Sequence, residues 1–255
     1  GKVTGTISEL KGRNIRLSFR NHSTMDCDFD VSGLPDLDNS FIYLGVNSLR
    51  TNAKDLEKIR VPEKGRLEIP ETIYKLGDIS FNGSFTGFTT DFVAYGKFTT
   101  DLGNLMTDIS LRPEKKNMFR VKGLITGSNI DLGMLTGKSD VFGKVSMNTN
   151  LDGYAKSIDK IEGNLTGNID SIEIKNYVYR NIALNGVFTE KTWDGSIKIL
   201  DNNVKMEMLG MFDFRNQLPE FDFTLNLAKA NLYKLNLEKT DTSSRLSMLV
   251  TANFR

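Results

Sequence analysis

Between Ile182 and Phe214, apolar residues and glycines hold every second position: Ile182, Leu184, Gly186 and Phe188, then Trp193, Gly195, Ile197 and Ile199, then Val204, Met206, Met208, Gly210, Phe212 and Phe214. The intervening residues are chiefly Asn, Lys, Asp and Glu. Side chains alternate faces along a strand, so period two describes a sheet with one greasy face and one wet face. Most other segments of the chain repeat this pattern. What such a chain can fold into is therefore limited by what covers a very long apolar face.

At 255 residues the chain is long enough for one large β domain or two ordinary ones. Lys plus Arg is 33 and Asp plus Glu is 32, a balance without the basic surplus of a nucleic-acid binder. The lone Cys27 excludes an internal disulfide framework and a cysteine zinc cluster. No run has the length of a transmembrane helix, and no signal peptide is present. The chain opens at Gly1 inside a strand-like run and stops at Arg255 just after another. It reads as one continuous fragment, residues 1–255, of a longer repeating β protein.

Taken in order, Val3, Gly5 and Ile7 alternate, followed by Ile15, Leu17 and Phe19 and a turn at Asn21-His22-Ser23. Met25, Cys27, Phe29 and Val31 form the return strand, with Asp26, Asp28 and Asp30 on its wet face. Gly33 to Asn39 has loop composition, and Phe41 to Val46 is a short strand. The period changes at Ser48, where Asn52 is placed to cap a short helix reaching Ile59. Pro70 is placed to start a second helical turn carrying Ile73, Tyr74 and Leu76. Residues 60–78 are the best candidate for a break in the sheet and a sub-boundary.

Strands resume at Ile79 and continue to the final alternation of Leu246, Met248, Val250, Ala252 and Phe254. Turns are expected at Thr100-Asp101, Pro113 to Asn117, Asp201 to Asn203 and Arg215 to Pro219. The pattern Gly-x-apolar-Thr-Gly recurs at Gly1–Gly5, Gly83–Gly87, Gly123–Gly127 and Gly163–Gly167. A longer similarity sets Phe119–Met147 beside Phe221–Met248, each with a short helical turn (Asn129–Leu135 and Asn231–Leu237). A repeating β unit follows from these copies, without a fixed period.

A count of roughly 16 to 18 strands, spaced about 4.8 Å apart, gives an unrolled sheet on the order of 80 Å long. No helix in the sequence is long enough to blanket it, so the sheet must face itself as a closed barrel, a sandwich or a trough folded lengthwise. The repeats favour a quasi-linear object. The expected fold class is all-β with a few short helical turns: an elongated, mostly antiparallel sheet folded into a trough.

The passage Ile69–Gly87 (Ile-Pro-Glu-Thr-Ile-Tyr-Lys-Leu-Gly-Asp-Ile-Ser-Phe-Asn-Gly-Ser-Phe-Thr-Gly) and its continuation to Gly103 resemble the TamB/AsmA-like superfamily, in particular the TamB-type proteins of Bacteroidota. The block Phe119–Asp152, with Asn129-Ile-Asp-Leu-Gly133 and Leu151-Asp-Gly153, is similar to the same pattern. The resemblance implies an envelope bridge of a Gram-negative bacterium, held in the inner membrane by an N-terminal helix and crossing the periplasm as a β trough with an apolar interior. It implies a role in moving phospholipid to the outer membrane and in outer-membrane protein assembly. The partners implied are phospholipid acyl chains and, through parts of the protein outside this sequence, an outer-membrane barrel of the BamA/TamA type. It implies no catalytic residues and no cofactor.

Motifs that suggest chemistry have plainer readings. Gly133-Met-Leu-Thr-Gly137-Lys138-Ser139 is one residue short of a P-loop and leads into a strand at Val141, so it reads as a turn. Asp26, Asp28 and Asp30 lack the Gly and Glu of a calcium loop, since Val31 and Leu37 stand at those places. His22 is the only histidine, which rules out a histidine-based triad or three-histidine metal site within this chain. Cys27 on the apolar side reads as a small core residue. Among 32 acidic residues nothing singles out a catalytic pair.

The expectation is a non-enzymatic segment whose groove conducts lipid, lined by Phe92, Phe98, Phe119, Val121, Val145, Met147, Ile197, Ile199, Met206, Phe212, Phe223, Leu225, Met248 and Val250. The alternative is a self-packed β scaffold or stalk module with a dry core and no lipid.

Overall fold

The structure, a computed structural model, describes residues 1–20, 22–61, 65–66, 69–115, 118–157, 160–189 and 191–254. The chain is all-β, with antiparallel ladders and only short helices. It divides into two compact units, Gly1–Glu114 and Lys115–Arg255.

The first unit begins with β1 (Lys2–Gly5), β2 (Glu9–Phe19), β3 (Ser23–Ser32) and β4 (Phe41–Asn52). An excursion follows: helix α1 (Ala53–Leu56), a two-stranded ribbon of β5 (Arg60–Val61) and β6 (Gly65–Arg66), and helix α2 (Glu71–Lys75). The ladder then continues as β7 (Asp78–Phe88), β8 (Asp91–Thr100) and β9 (Gly103–Lys115). Each strand pairs antiparallel with its neighbour in the order β1-β2-β3-β4-β7-β8-β9.

Residues 60–78 do not break the sheet as expected. β4 and β7 pair directly, Asn52 opposite Asp78 and Ile42 opposite Gly87, so the chain leaves the ladder and returns beside the strand it left. The strand from Phe41 also extends past Val46 to Asn52. A bulge lies between Val46 and Leu49 and inserts one extra residue into the pairing with β7. That residue shifts the alternation by one, so the change of period at Ser48 marks a kink within a strand. Asn52 caps α1 as expected, its side chain accepting from the Asp55 backbone N–H at 3.0 Å, but the helix stops at Leu56 rather than Ile59. β9 runs through Pro113 to Lys115, where a turn was expected, and residues 116 and 117 lie outside the described residues. Asn21, in the expected turn before β3, lies outside them as well.

The second unit contains β10 (Met118–Asp131), helix α3 (Leu132–Thr136), β11 (Phe142–Ser157), β12 (Lys160–Ile174), β13 (Tyr177–Thr189), β14 (Thr192–Leu200), β15 (Val204–Asp213), β16 (Glu220–Asn231) and β17 (Arg245–Phe254). These strands pair antiparallel in strict sequence order. Neither ladder closes: among the described residues β1 does not pair with β9, nor β10 with β17, so neither unit is a barrel.

The recurring Gly-x-apolar-Thr-Gly pattern has a backbone cause. Its last glycine has positive φ in three copies: Gly5 at 112°, Gly87 at 135° and Gly167 at 151°. A Cβ there would collide with the facing strand, at the carbonyl oxygen of Glu9, Asp91 or Asn148. In the fourth copy the register shifts immediately after Gly127.

The P-loop-like segment is also structural. Gly133 lies inside α3, and Gly137 ends that helix with φ 71°. The Lys138 N–H returns to the Gly133 carbonyl at 3.0 Å, as at many helix C-termini. The matching segment after β16, expected as a helical turn, is a chain of hydrogen-bonded turns. Asn231 accepts from the Lys234 N–H at 3.0 Å, as Asp131 accepts from Met134 at 2.8 Å.

Candidate functional site: two apolar sheet faces

Antiparallel register sets directly opposed residues on the same face. In the second unit this joins the alternating residues into lateral rows. One row runs Met147, Ile169, Ile182, Ile199, Met206, Leu227, Met248 across seven strands. The next runs Ile125, Thr149, Gly167, Leu184, Ile197, Met208, Leu225, Val250. A third contains Gly186, Gly195, Gly210, Phe223 and Ala252, and a fourth contains Val121, Phe188, Trp193, Phe212, Phe221 and Phe254. Phe119 opposes Ala155 beyond the fourth row, and Val145 opposes Ile130 and Ile172 beyond the first. Twelve of the expected lining residues thus share one face of the second unit.

The glycine row and the aromatic row depend on each other. A Cβ on Gly186 would come within 2.6 Å of the Trp193 ring, so the indole lies across a strand position that has no side chain. Phe212 stacks on Phe223 with centroids 5.8 Å apart and an interplanar angle of 16°. The Trp193 ring fills the space over Gly186, whereas at Gly195 and Gly210 the facing strands' backbone comes close instead.

The first unit carries its own rows: Leu17, Met25, Leu49, Phe81, Phe98, Leu105, and Leu10, Val31, Ile42, Gly87, Phe92, Leu111. Phe92 and Phe98, the remaining two expected lining residues, lie here. Phe98 packs on Phe81 at 4.6 Å and Phe92 on Phe85 at 4.9 Å. Cys27 and Val46 oppose each other on the same face, and Cys27 is 2% exposed. Burial pushes its thiol pKa up, and the charges of Asp26 and Asp28 add to this, so the group is a poor nucleophile.

These faces are only partly covered. Val121 and Val145 are buried, while Phe92, Phe98, Phe119, Met147, Ile197, Ile199, Met206, Phe212, Phe223, Leu225 and Val250 are half-buried and Met248 is exposed. The accessible surface totals 16670 Å². Two compact bodies of these sizes would expose about 13,600 Å² together, so a large area that a second layer normally removes from water stays open.

One patch is filled. Leu235, 2% exposed, is set by the turns after β16 onto Val204, Leu227 and Ala230, with Tyr177, Tyr179, Ile199, Met206 and Leu232 around it. Sequence reasoning passed over Leu235 because no strand or long helix carries it. The signal was present in Asn231, a cap residue three positions before Lys234.

The opposite face carries ion pairs among exposed apolar residues such as Val187, Leu209 and Leu249. In the first unit Arg13 pairs with Asp30 at 2.8 Å and Arg16 with Asp26 at 3.1 Å, and Asp28 accepts from the Asn14 N–H at 2.6 Å. Hydrogen bonds from Asn47 and Arg16 hold Asp26 below the ordinary carboxylate range, and Arg13 does the same for Asp30. The three aspartates serve strand neighbours, as their alternation indicated. In the second unit Asp152 accepts from Arg120 at 2.9 Å and Lys122 at 3.1 Å; burial opposes its ionisation, but these two partners outweigh it. Among the described residues no group of three or more His, Cys, Asp or Glu is placed to hold a metal ion. No helix among them is long and apolar enough to cross a membrane.

The chain matches no family model, no curated protein and no solved structure.

Proposed function

We propose that this chain is a segment of a TamB-like bridge of the Gram-negative periplasm, and that its apolar faces receive phospholipid acyl chains passing between the inner and outer membranes. The observation that carries this reading is the set of in-register apolar rows left half-covered. Rows Met147–Met248 and Ile125–Val250 give an acyl chain a continuous apolar track with no charged side chain interposed. Transfer of each methylene from water onto such a surface is worth up to about 0.8 kcal/mol. Similar side chains along a row hold the lipid without a deep trap, and methionines such as Met147, Met206, Met208 and Met248 adapt to a mobile partner. Function is then passive transport, with support of outer-membrane protein assembly through the rest of the protein.

The rival, a self-packed β scaffold, is favoured by one observation: Leu235 fills its patch of the face with protein. Organic extraction of the purified chain followed by lipid mass spectrometry separates the two. Phospholipid recovered in stoichiometric amount supports the conduit. A lipid-free extract, together with no binding of an apolar fluorescent dye, sinks it in favour of the scaffold.

A further inference from the structure

The first unit has an open groove of about 540 Å³ between its apolar face and α1, with Leu17, Phe19 and Ile59 exposed along it. Leu17, Met25 and Leu49, opposed in one row, form its floor, while Leu56 and Ile59 come from α1 and the turn after it. Lys58 is the one charged residue of the lining and is exposed. It has no acidic partner among the described residues. The neighbouring Glu57 is occupied by the Tyr74 hydroxyl at 3.0 Å.

The roof is fixed by a buried polar network. The Ser23 hydroxyl donates to Asp55 Oδ2 at 2.8 Å and lies 2.9 Å from the Thr51 hydroxyl. All three residues are buried, and Asp55 belongs to α1. The Ser23 and Thr51 hydroxyls in the wall therefore have protein partners and make no demand on water beside them. The result is a mainly apolar groove with a single cation at its edge.

We infer that this groove binds one long-chain fatty acid, with the chain over Leu17, Met25 and Leu49 and the carboxylate at Lys58. Volume suits a single chain. A methylene takes a volume close to that of a water molecule, roughly 30 Å³, so about 18 such groups, the length of one long acyl chain, fill the groove. Charge selects the head, because the ammonium of Lys58 is unclaimed and an anion at the rim needs no desolvation to meet it. Its floor is the end of the first unit's apolar face, and it differs in ligand from the phospholipid tracks of the second unit.

The test is equilibrium dialysis of the whole chain against radiolabelled palmitate and its uncharged methyl ester. One saturable palmitate site is expected, with weaker binding of the ester. Leu49→Trp fills the floor and should abolish that site with the circular dichroism spectrum retained. Lys58→Glu, on an exposed side chain that folding does not need, should weaken palmitate roughly threefold to tenfold and leave the ester unchanged; it decides the matter if the tryptophan variant does not fold. The inference is overturned if Lys58→Glu leaves palmitate binding unaltered, if the ester binds the wild-type chain as tightly as palmitate, or if phosphatidylglycerol vesicles displace palmitate mole for mole. Phospholipid recovered by extraction reads the open tracks separately, so this site and the conduit stand or fall on different measurements.

Discussion

The Trp193 ring reaches across Gly186, its diagonal neighbour on the adjoining strand, and a Cβ at Gly186 would stand 2.6 Å from the ring and 2.7 Å from the Asp194 carbonyl oxygen. Gly186→Ala must move either an indole that faces Phe188 and Phe212 in register or the backbone of β14. The expected cost is about 1–3 kcal/mol. Urea unfolding followed by the fluorescence of Trp193, the only tryptophan, measures it directly.

Two glycines with positive φ should respond differently to substitution. Gly87 has φ 135° and a blocked Cβ direction, whereas Gly137 has φ 71° and nothing within 4 Å. Gly137→Asn should be close to neutral, since Asn tolerates the left-handed region at a helix end. Gly87→Asn should lower the thermal midpoint by several degrees, as a clash with the β8 backbone adds to the dihedral strain. Equal shifts for the two variants would contradict the account given for the glycine repeat.

Leu227 and Met248 are opposed in one row, yet Leu227 is 8% exposed and Met248 is 39% exposed. Leu227→Asp forces a charge beneath Leu235 and should unfold the second unit. Met248→Asp leaves its carboxylate in reach of water, so the fold should survive while bound phospholipid falls. Circular dichroism paired with lipid extraction reads both outcomes.

The Cys27 thiol should be inert in the folded chain. Burial hides the sulfur and raises its pKa, so an aromatic disulfide reagent should react at neutral pH only as denaturant opens the first unit. Immediate stoichiometric release of the coloured thiolate without denaturant would contradict its burial.

Glu238 offers a pH signature. Hydrogen bonds from the Thr240 hydroxyl and the backbone N–H groups of Thr240 and Lys239 lower its pKa from 4.5 to about 2. A depressed folded pKa stabilises the ionised loop above the unfolded value, and that contribution fades as pH falls from 4.5 through about 2. Carboxyl NMR should find a midpoint near 2 for Glu238, and Thr240→Val should move it back toward 4.5.

The alternation in the sequence was enough to assign faces. Once the strands pair in register, Ile182, Ile199 and Met206 could only fall in one row, because period two leaves no other side for them. What one-dimensional pattern could not convey is depth. Met147 and Val145 look equivalent as letters, but only Val145 is buried. That difference depends on neighbours several strands away. The bulge after Val46 hid the length of β4 by reversing the phase of alternation, and the return of β7 beside β4 needed pairing information that no local cue carries. The groove beneath α1 was equally out of reach, since Leu17, Leu49 and Leu56 line it together only after α1 folds back over the sheet.

The strict strand order of the second unit has a consequence for how it is made. Each strand from β11 onward finds its complete hydrogen-bonding template in the segment synthesised just before it. A polypeptide emerging end first can therefore zip itself up one hairpin at a time, never waiting for a distant stretch to arrive. Lengthening such a body asks only for another hairpin appended to the growing end.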